Sequence, residues 1–157
     1  MDKRTIKYCG HQGDVGIRRI YQLDDKNYYV RHYDRKTRKF GDKLYASAAQ
    51  MKTLLSKGKK IVPDAKGFVT LIEGEDSGHH HGFDKSAAAV AYEIDSPRKE
   101  QRVFLTEVAD TTEFKHWHVQ KGEYTKDHAS IELPAGLWEM RSQTEQDLNG
   151  RLKRVTD

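Results

Sequence analysis

Apolar and polar residues in this chain alternate over short runs, and only once do the apolar ones fall at helical spacing. Val15 to Tyr21 reads as a strand with Val15 and Ile17 on one face. The face becomes ambiguous at Ile20, which marks a place for a bulge. Asp24-Asp25-Lys26-Asn27 is a turn, and Asn27 to Tyr33 has the Tyr and Val content of a strand that folds back on the first. Asp34 to Lys43 reads as a charged hairpin tip or loop. Leu44, Ala48, Met51 and Leu55 then change the period and predict one helix over 45–56, with Gly58 just past its end.

Beyond the helix the β pattern returns. Short strands are expected at Phe68–Ile72, Ala87–Ile94, Arg102–Val108, Glu113–Gln120, Ala129–Leu133 and Leu137–Arg141, and Pro134-Ala135-Gly136 turns the last pair. The polar end, Glu145 to Asp157, suits a short helix or a frayed tail. Many short strands separated by Gly and Asp turns predict a mainly β, single-domain fold. It is either a β-sandwich or a barrel, with a cupin or jelly-roll arrangement as one form. The one helix belongs to an inserted basic lobe over 27–60.

Composition narrows the class. The chain has 157 residues, which suits one core, and 33% of them are charged. Eight Tyr, five Phe and two Trp argue against disorder. No apolar run approaches the roughly 20 residues of a spanning helix, and the first residues lack the apolar core of a signal peptide. The one cysteine, Cys9, forms no internal disulfide, and these features together suggest a cytoplasmic protein away from membranes. The net charge of +4 hides an asymmetry: residues 1–62 carry 16 Lys/Arg against 6 Asp/Glu, and residues 63–157 carry 12 against 18. Such halves either meet each other or give the basic half an anionic partner.

Histidine is the first chemical signal. There are eight, and six fall in two zones: His79-His80-His81, then His116, His118 and His128. In strands, residues two apart share a face, so His79 pairs with His81 and His116 with His118. Two such pairs on neighbouring strands bring imidazoles within reach of one ion, and imidazole suits Zn and similar divalent transition metals. The expected ligands are His79, His81, His118 and His128, supported by the carboxylates of Asp14 and Glu75. A solvated His-rich turn is the plainer alternative. The His-x-His spacing is similar to the first cupin motif, but the acidic residue would be Asp84, which comes early, and the second motif's order is not reproduced. Cys9 with His11 is the only close thiol–imidazole pair, and no phosphate-cradling glycine motif is present.

The second signal is the basic lobe. Arg31, Arg35, Lys36, Arg38, Lys39 and Lys43 are interleaved with Tyr33 and Phe40, a mixture that suits phosphates and unpaired bases. A solvated hairpin with one aromatic face packed on the core accounts for the same residues.

Three stretches carry a resemblance: His11-Gln12-Gly13-Asp14-Val15, then Gly74-Glu75-Asp76-Ser77-Gly78-His79-His80-His81, then His128 to Gln143 with Leu133-Pro134-Ala135-Gly136 inside it. Together they resemble an uncharacterised family of short bacterial and bacteriophage proteins with Gln-Gly-Asp, Gly-His-x-His and Leu-Pro-x-Gly motifs. The likeness spans the first strand and most of the chain from Phe68, leaving 27–60 as the insertion. Thr125 stands where the family has the first histidine of a His-x-x-His pair, and Ser77 where it has threonine. The resemblance implies a compact β fold, a phage context and a grouping of His79, His81 and His128; it brings no activity with it. The first expectation is therefore a binding protein whose histidine-lined site takes a metal or a small anionic ligand. The alternatives are a module that binds nucleic acid or a host protein through the basic lobe, and an enzyme using histidine as acid or base. Oligomeric state is not legible.

Overall fold

The computed structural model describes residues 4–73, 79–85, 87–98, 100–120, 123–126 and 129–142. Strands β1 (Arg4–Thr5), β2 (Cys9–Gln12), β3 (Val15–Gln22), β4 (Asn27–Asp34) and β5 (Lys39–Ser47) lead into helix α1 (Ala48–Lys57). They are followed by β6 (Lys59–Lys60), β7 (Phe68–Glu73), β8 (His79–Asp84), β9 (Ala89–Ile94) and β10 (Val103–Val108). The last are β11 (Thr112–Gln120), β12 (Glu123–Lys126), β13 (Ile131–Leu133) and β14 (Gly136–Ser142). The larger sheet runs β5-β4-β3-β14-β10-β9-β6, with β2 beside β3. The smaller runs β1-β13-β11-β8-β7, with β12 beside β11. The sheets do not close into a barrel, so of the two expected forms the fold is the β-sandwich.

Between the sheets Ile17, Phe104, Trp138 and Met140 of the larger interleave with Phe83, Phe114, Ile131 and Leu133 of the smaller. Burial of each such side chain is worth about 1.5–3 kcal/mol. The larger sheet is also covered on its other face. There Ile20, Val30, Ala46 and Leu105 meet Met51 of α1 in a second core. This explains the change of face at Ile20. The β3–β14 register runs unbroken from Val15↔Ser142 to Ile20↔Leu137, so no bulge exists there. The strand is simply apolar on both sides, toward the smaller sheet through Ile17 and toward the helix through Ile20.

The segment 27–60 extends the larger sheet through β4 and β5 and lays α1 on its outer face. The helix begins three residues later than the periodicity predicts. Tyr45 to Ser47 complete β5, and Ser47 closes a capping box: its hydroxyl accepts from the Gln50 N–H while the Gln50 side chain accepts from the Ser47 N–H. A β-bulge does occur, between Tyr28 and Tyr29 opposite Tyr45, and it directs Tyr45 toward the helix side. The expected hairpin tip shrinks to the turn 35–38, with both flanks drawn into strands. The polar end of the chain from residue 143 lies outside the described residues.

Candidate functional site

The histidine triplet is strand, not loop. Strand β8 pairs antiparallel with β11, placing His81 opposite His116, His80 opposite Trp117 and His79 opposite His118. Alternation then sorts the side chains. His79, His81 and Phe83 share the inner face of β8, and Phe114, His116 and His118 share the inner face of β11. The inner face changes composition along its length. Phe83 and Phe114 are core, His81 and His116 are buried, and His79 and His118 are half-buried where the sandwich opens.

The rings form a continuous ladder. Phe83 and Phe114 lie 5.2 Å apart, His81 is 6.1 Å from Phe114, and His81 stacks on His116 at 4.2 Å and 14°. His79 follows at 5.1 Å from His116 and 5.4 Å from His118. His79 Nδ1 and His116 Nε2 are 3.3 Å apart, so one donates and the other accepts. His80 points the opposite way. It stacks on Trp117, which also meets Phe68, and burial pushes its imidazole below the usual histidine range.

Gln12 and Asp14 complete the site from the chain that enters β3. Both are buried. The Gln12 amide N–H groups donate to the carbonyls of Phe114 at 3.1 Å and Ala129 at 3.2 Å. That fixes its Oε1 as an acceptor, and it accepts from His81 Nδ1 at 3.0 Å. His81 is therefore protonated on Nδ1. Its Nε2 faces Asp14 Oδ1 at 3.4 Å. In this tautomer Nε2 presents a lone pair toward the Asp14 oxygen, and a proton held between the two atoms or a bound cation satisfies both.

Of the ligands expected from sequence, the structure brings together His79, His81 and His118, with Asp14 against His81. His128 and Glu75 lie outside the described residues. His116 stands at the centre of the ladder, outside the ligand set expected from sequence; its spacing two residues from His118 was the available signal. Gln12 lies in the Gln-Gly-Asp motif but is not among the expected site residues; that motif was the available signal. Among the described residues no three His, Cys, Asp or Glu side chains are grouped to hold one ion. Stacking turns the rings face to face, whereas coordination needs their in-plane lone pairs aimed at one point.

The basic residues occupy another part of the molecule. Arg31 and Tyr33 lie on β4, Arg35, Lys36 and Arg38 in the turn, and Lys39, Phe40 and Lys43 on β5. Among the described residues no helix is long and apolar enough to cross a membrane. A family model described as "Domain of unknown function (DUF8820)" matches residues 39–143. No curated protein matches the chain, and no solved structure does.

Proposed function

Because the chain belongs to this domain family of unknown function, we propose from its own geometry that it is a binding protein whose histidine ladder takes a divalent transition metal, Zn or similar. The observation that carries this reading is His81 Nε2 facing Asp14 Oδ1 at 3.4 Å, with the other ring nitrogen held by Gln12. A hydrogen bond from the far nitrogen to a fixed acceptor is the arrangement that orients metal-binding histidines. Donors around a tetrahedral zinc at 2.0–2.1 Å stand about 3.3 Å from one another. The His81–Asp14 separation of 3.4 Å matches that edge. Placing three or four of these donors on one ion requires the rings to turn out of their stack. A cation suits the site better than a small anion, because the buried Asp14 carboxyl stands beside His81 with oxygens that can ligate a cation and that offer an anion no donor when ionised. The exposed free thiol of Cys9 fits action in a reducing cytoplasm.

The test is metal content by mass spectrometry on untagged protein purified without chelator, followed by Zn titration of the metal-free protein. The expected result is about one ion per chain, with metal at 100 times Kd raising stability by about 2.7 kcal/mol. His81→Ala and Asp14→Asn should each lose most of that gain. Protein that carries no metal and is not stabilised by Zn, Co or Ni overturns the reading.

A further inference from the structure

The larger sheet does not end where the smaller sheet stops covering it. Beyond β3 it continues as the β4–β5 hairpin, and register fixes which residues share each face. Tyr29 pairs with Leu44, Arg31 with Asp42 and Tyr33 with Phe40, so these six stand on one face. Tyr21 of β3 sits opposite Tyr29 and extends the same face. Tyr33, Phe40 and Leu44 are 44%, 56% and 56% exposed.

The rings on this face are ordered rather than scattered. Tyr33 and Phe40 meet edge to face at 5.0 Å. The Arg31 guanidinium lies 5.6 Å from the Phe40 ring and 5.2 Å from the Tyr8 ring. Tyr8 in turn meets Tyr21 edge to face at 5.8 Å. The run is aromatic, aromatic, cation, aromatic, aromatic: Tyr33, Phe40 and Arg31 lie on the β4–β5 pair, Tyr21 on β3 and Tyr8 just before β2.

Charge selects the partner. Residues 27–47 hold six Lys/Arg against two Asp. Both aspartates are engaged locally: Asp34 accepts from the Lys36 N–H at 2.9 Å within the turn, and Asp42 accepts from the Tyr21 hydroxyl at 2.6 Å. The turn itself, Arg35-Lys36-Thr37-Arg38, is a basic tip at the end of the aromatic strip. Exposed π faces stack on bases, and the cations beside them meet phosphates. A duplex hides its base faces, whereas a single strand offers them.

We propose that this face and its basic tip bind single-stranded nucleic acid, with Tyr33 and Phe40 stacking on bases and Arg35, Lys36 and Arg38 contacting phosphates. The site is separate from the histidine ladder, so the two readings stand or fall independently.

The test is fluorescence anisotropy of the full chain with labelled oligo-dT and oligo-rU of about 15 nucleotides, and with a duplex of equal length, across a salt series. Tighter binding of a single strand than of the duplex is expected; whichever of dT and rU binds better identifies DNA or RNA as the source. Phe40→Ala should weaken single-strand binding by about 5- to 100-fold. Phe40→Leu, which keeps apolar bulk and removes the ring, should lose nearly as much. Replacing Arg35, Lys36 and Arg38 by Gln should lower the salt slope by roughly 2. No binding even at low salt overturns the proposal. So does equal affinity for duplex with no loss in either Phe40 variant, and so does a face that binds an acidic protein while oligonucleotides stay unbound.

Discussion

A Cβ built on Gly82 would stand 2.0 Å from the carbonyl oxygen of Val69. The two strands approach this closely because β7 is irregular between Thr70 and Ile72, and the register with β8 shifts there. Gly82 sits between His81 and Phe83, so its missing side chain sets the depth at which both inner-face residues lie. Gly82→Ala must push β7 away or break the bulge. It should cost about 1–3 kcal/mol, the usual range for overpacking, read as a lower urea midpoint. It should also perturb His81 resonances in NMR. An unchanged midpoint contradicts the close approach.

Gln12 supports both the fold and the site. Its amide bridges Phe114 on β11, Ala129 before β13 and His81 on β8. Gln12→Leu keeps similar bulk and removes all three bonds, leaving buried carbonyls and an imidazole N–H to be satisfied otherwise. A loss of about 1–3 kcal/mol is expected for stranding such groups. If the ladder takes metal, affinity should fall about 10- to 100-fold as well, because His81 loses the partner that orients it. Zn titration separates the two effects, since a purely structural glutamine moves stability and leaves the affinity of the folded fraction alone.

What was legible in the sequence was local. Strand alternation around Phe114, His116 and His118, the Pro134–Gly136 turn and the helical spacing through Met51 each follow from neighbours within a few residues. The pairing of His81 with His116 is not local: it depends on β8 and β11 becoming neighbours, and no periodicity states which strands pair. Ile20 misled for a related reason. Alternation assumes one apolar face, and β3 has two because α1 covers the far side of its sheet. The start of α1 also lay beyond periodicity, since Leu44 to Ser47 have the spacing of a helix and the pairing of a strand, and the Ser47 cap decides between them. The Gln-Gly-Asp motif marked Gln12, but its role was not legible because three partners distant in sequence define it.

Glu139 on the helix side of β14 is a buried carboxylate. Arg18 grips it with contacts of 2.7 and 3.3 Å, and the Tyr45 hydroxyl donates to it at 2.7 Å. Burial first, and then the Glu139 charge, push the Tyr45 phenol far above its usual range, so it remains a donor at any working pH. The three residues come from β3, β5 and β14 and tie the hairpin to the sheet. Tyr45→Phe and Glu139→Gln should each cost about 1.5–3 kcal/mol, as expected for hydrogen bonds to a charged group. The double variant should cost less than the sum, because Tyr45→Phe removes the bond whose charge assistance Glu139→Gln removes. Strict additivity in urea melts would show that the hydroxyl and the carboxylate are not coupled.

Glu93 and Arg102 provide a test in pH. The guanidinium donates twice to the carboxylate, at 2.9 and 2.9 Å, across the β9–β10 edge. These hydrogen bonds, more than the charge alone, hold the Glu93 carboxyl below its ordinary range, against an opposing effect of burial. A folded value below the unfolded one means the unfolded chain binds more protons as acid is added. The contribution is therefore complete above the ordinary carboxylate range and is lost as pH falls through that range toward the lower folded value. Wild type should exceed Glu93→Gln in stability at about pH 7, keep that margin near pH 6, and lose it progressively below about pH 4.3, the unperturbed value for glutamate. Urea melts of both proteins across this series measure the margin directly. A margin that stays constant down to strong acid would mean that the Arg102 fork does not favour the ionised form of Glu93 over the protonated one.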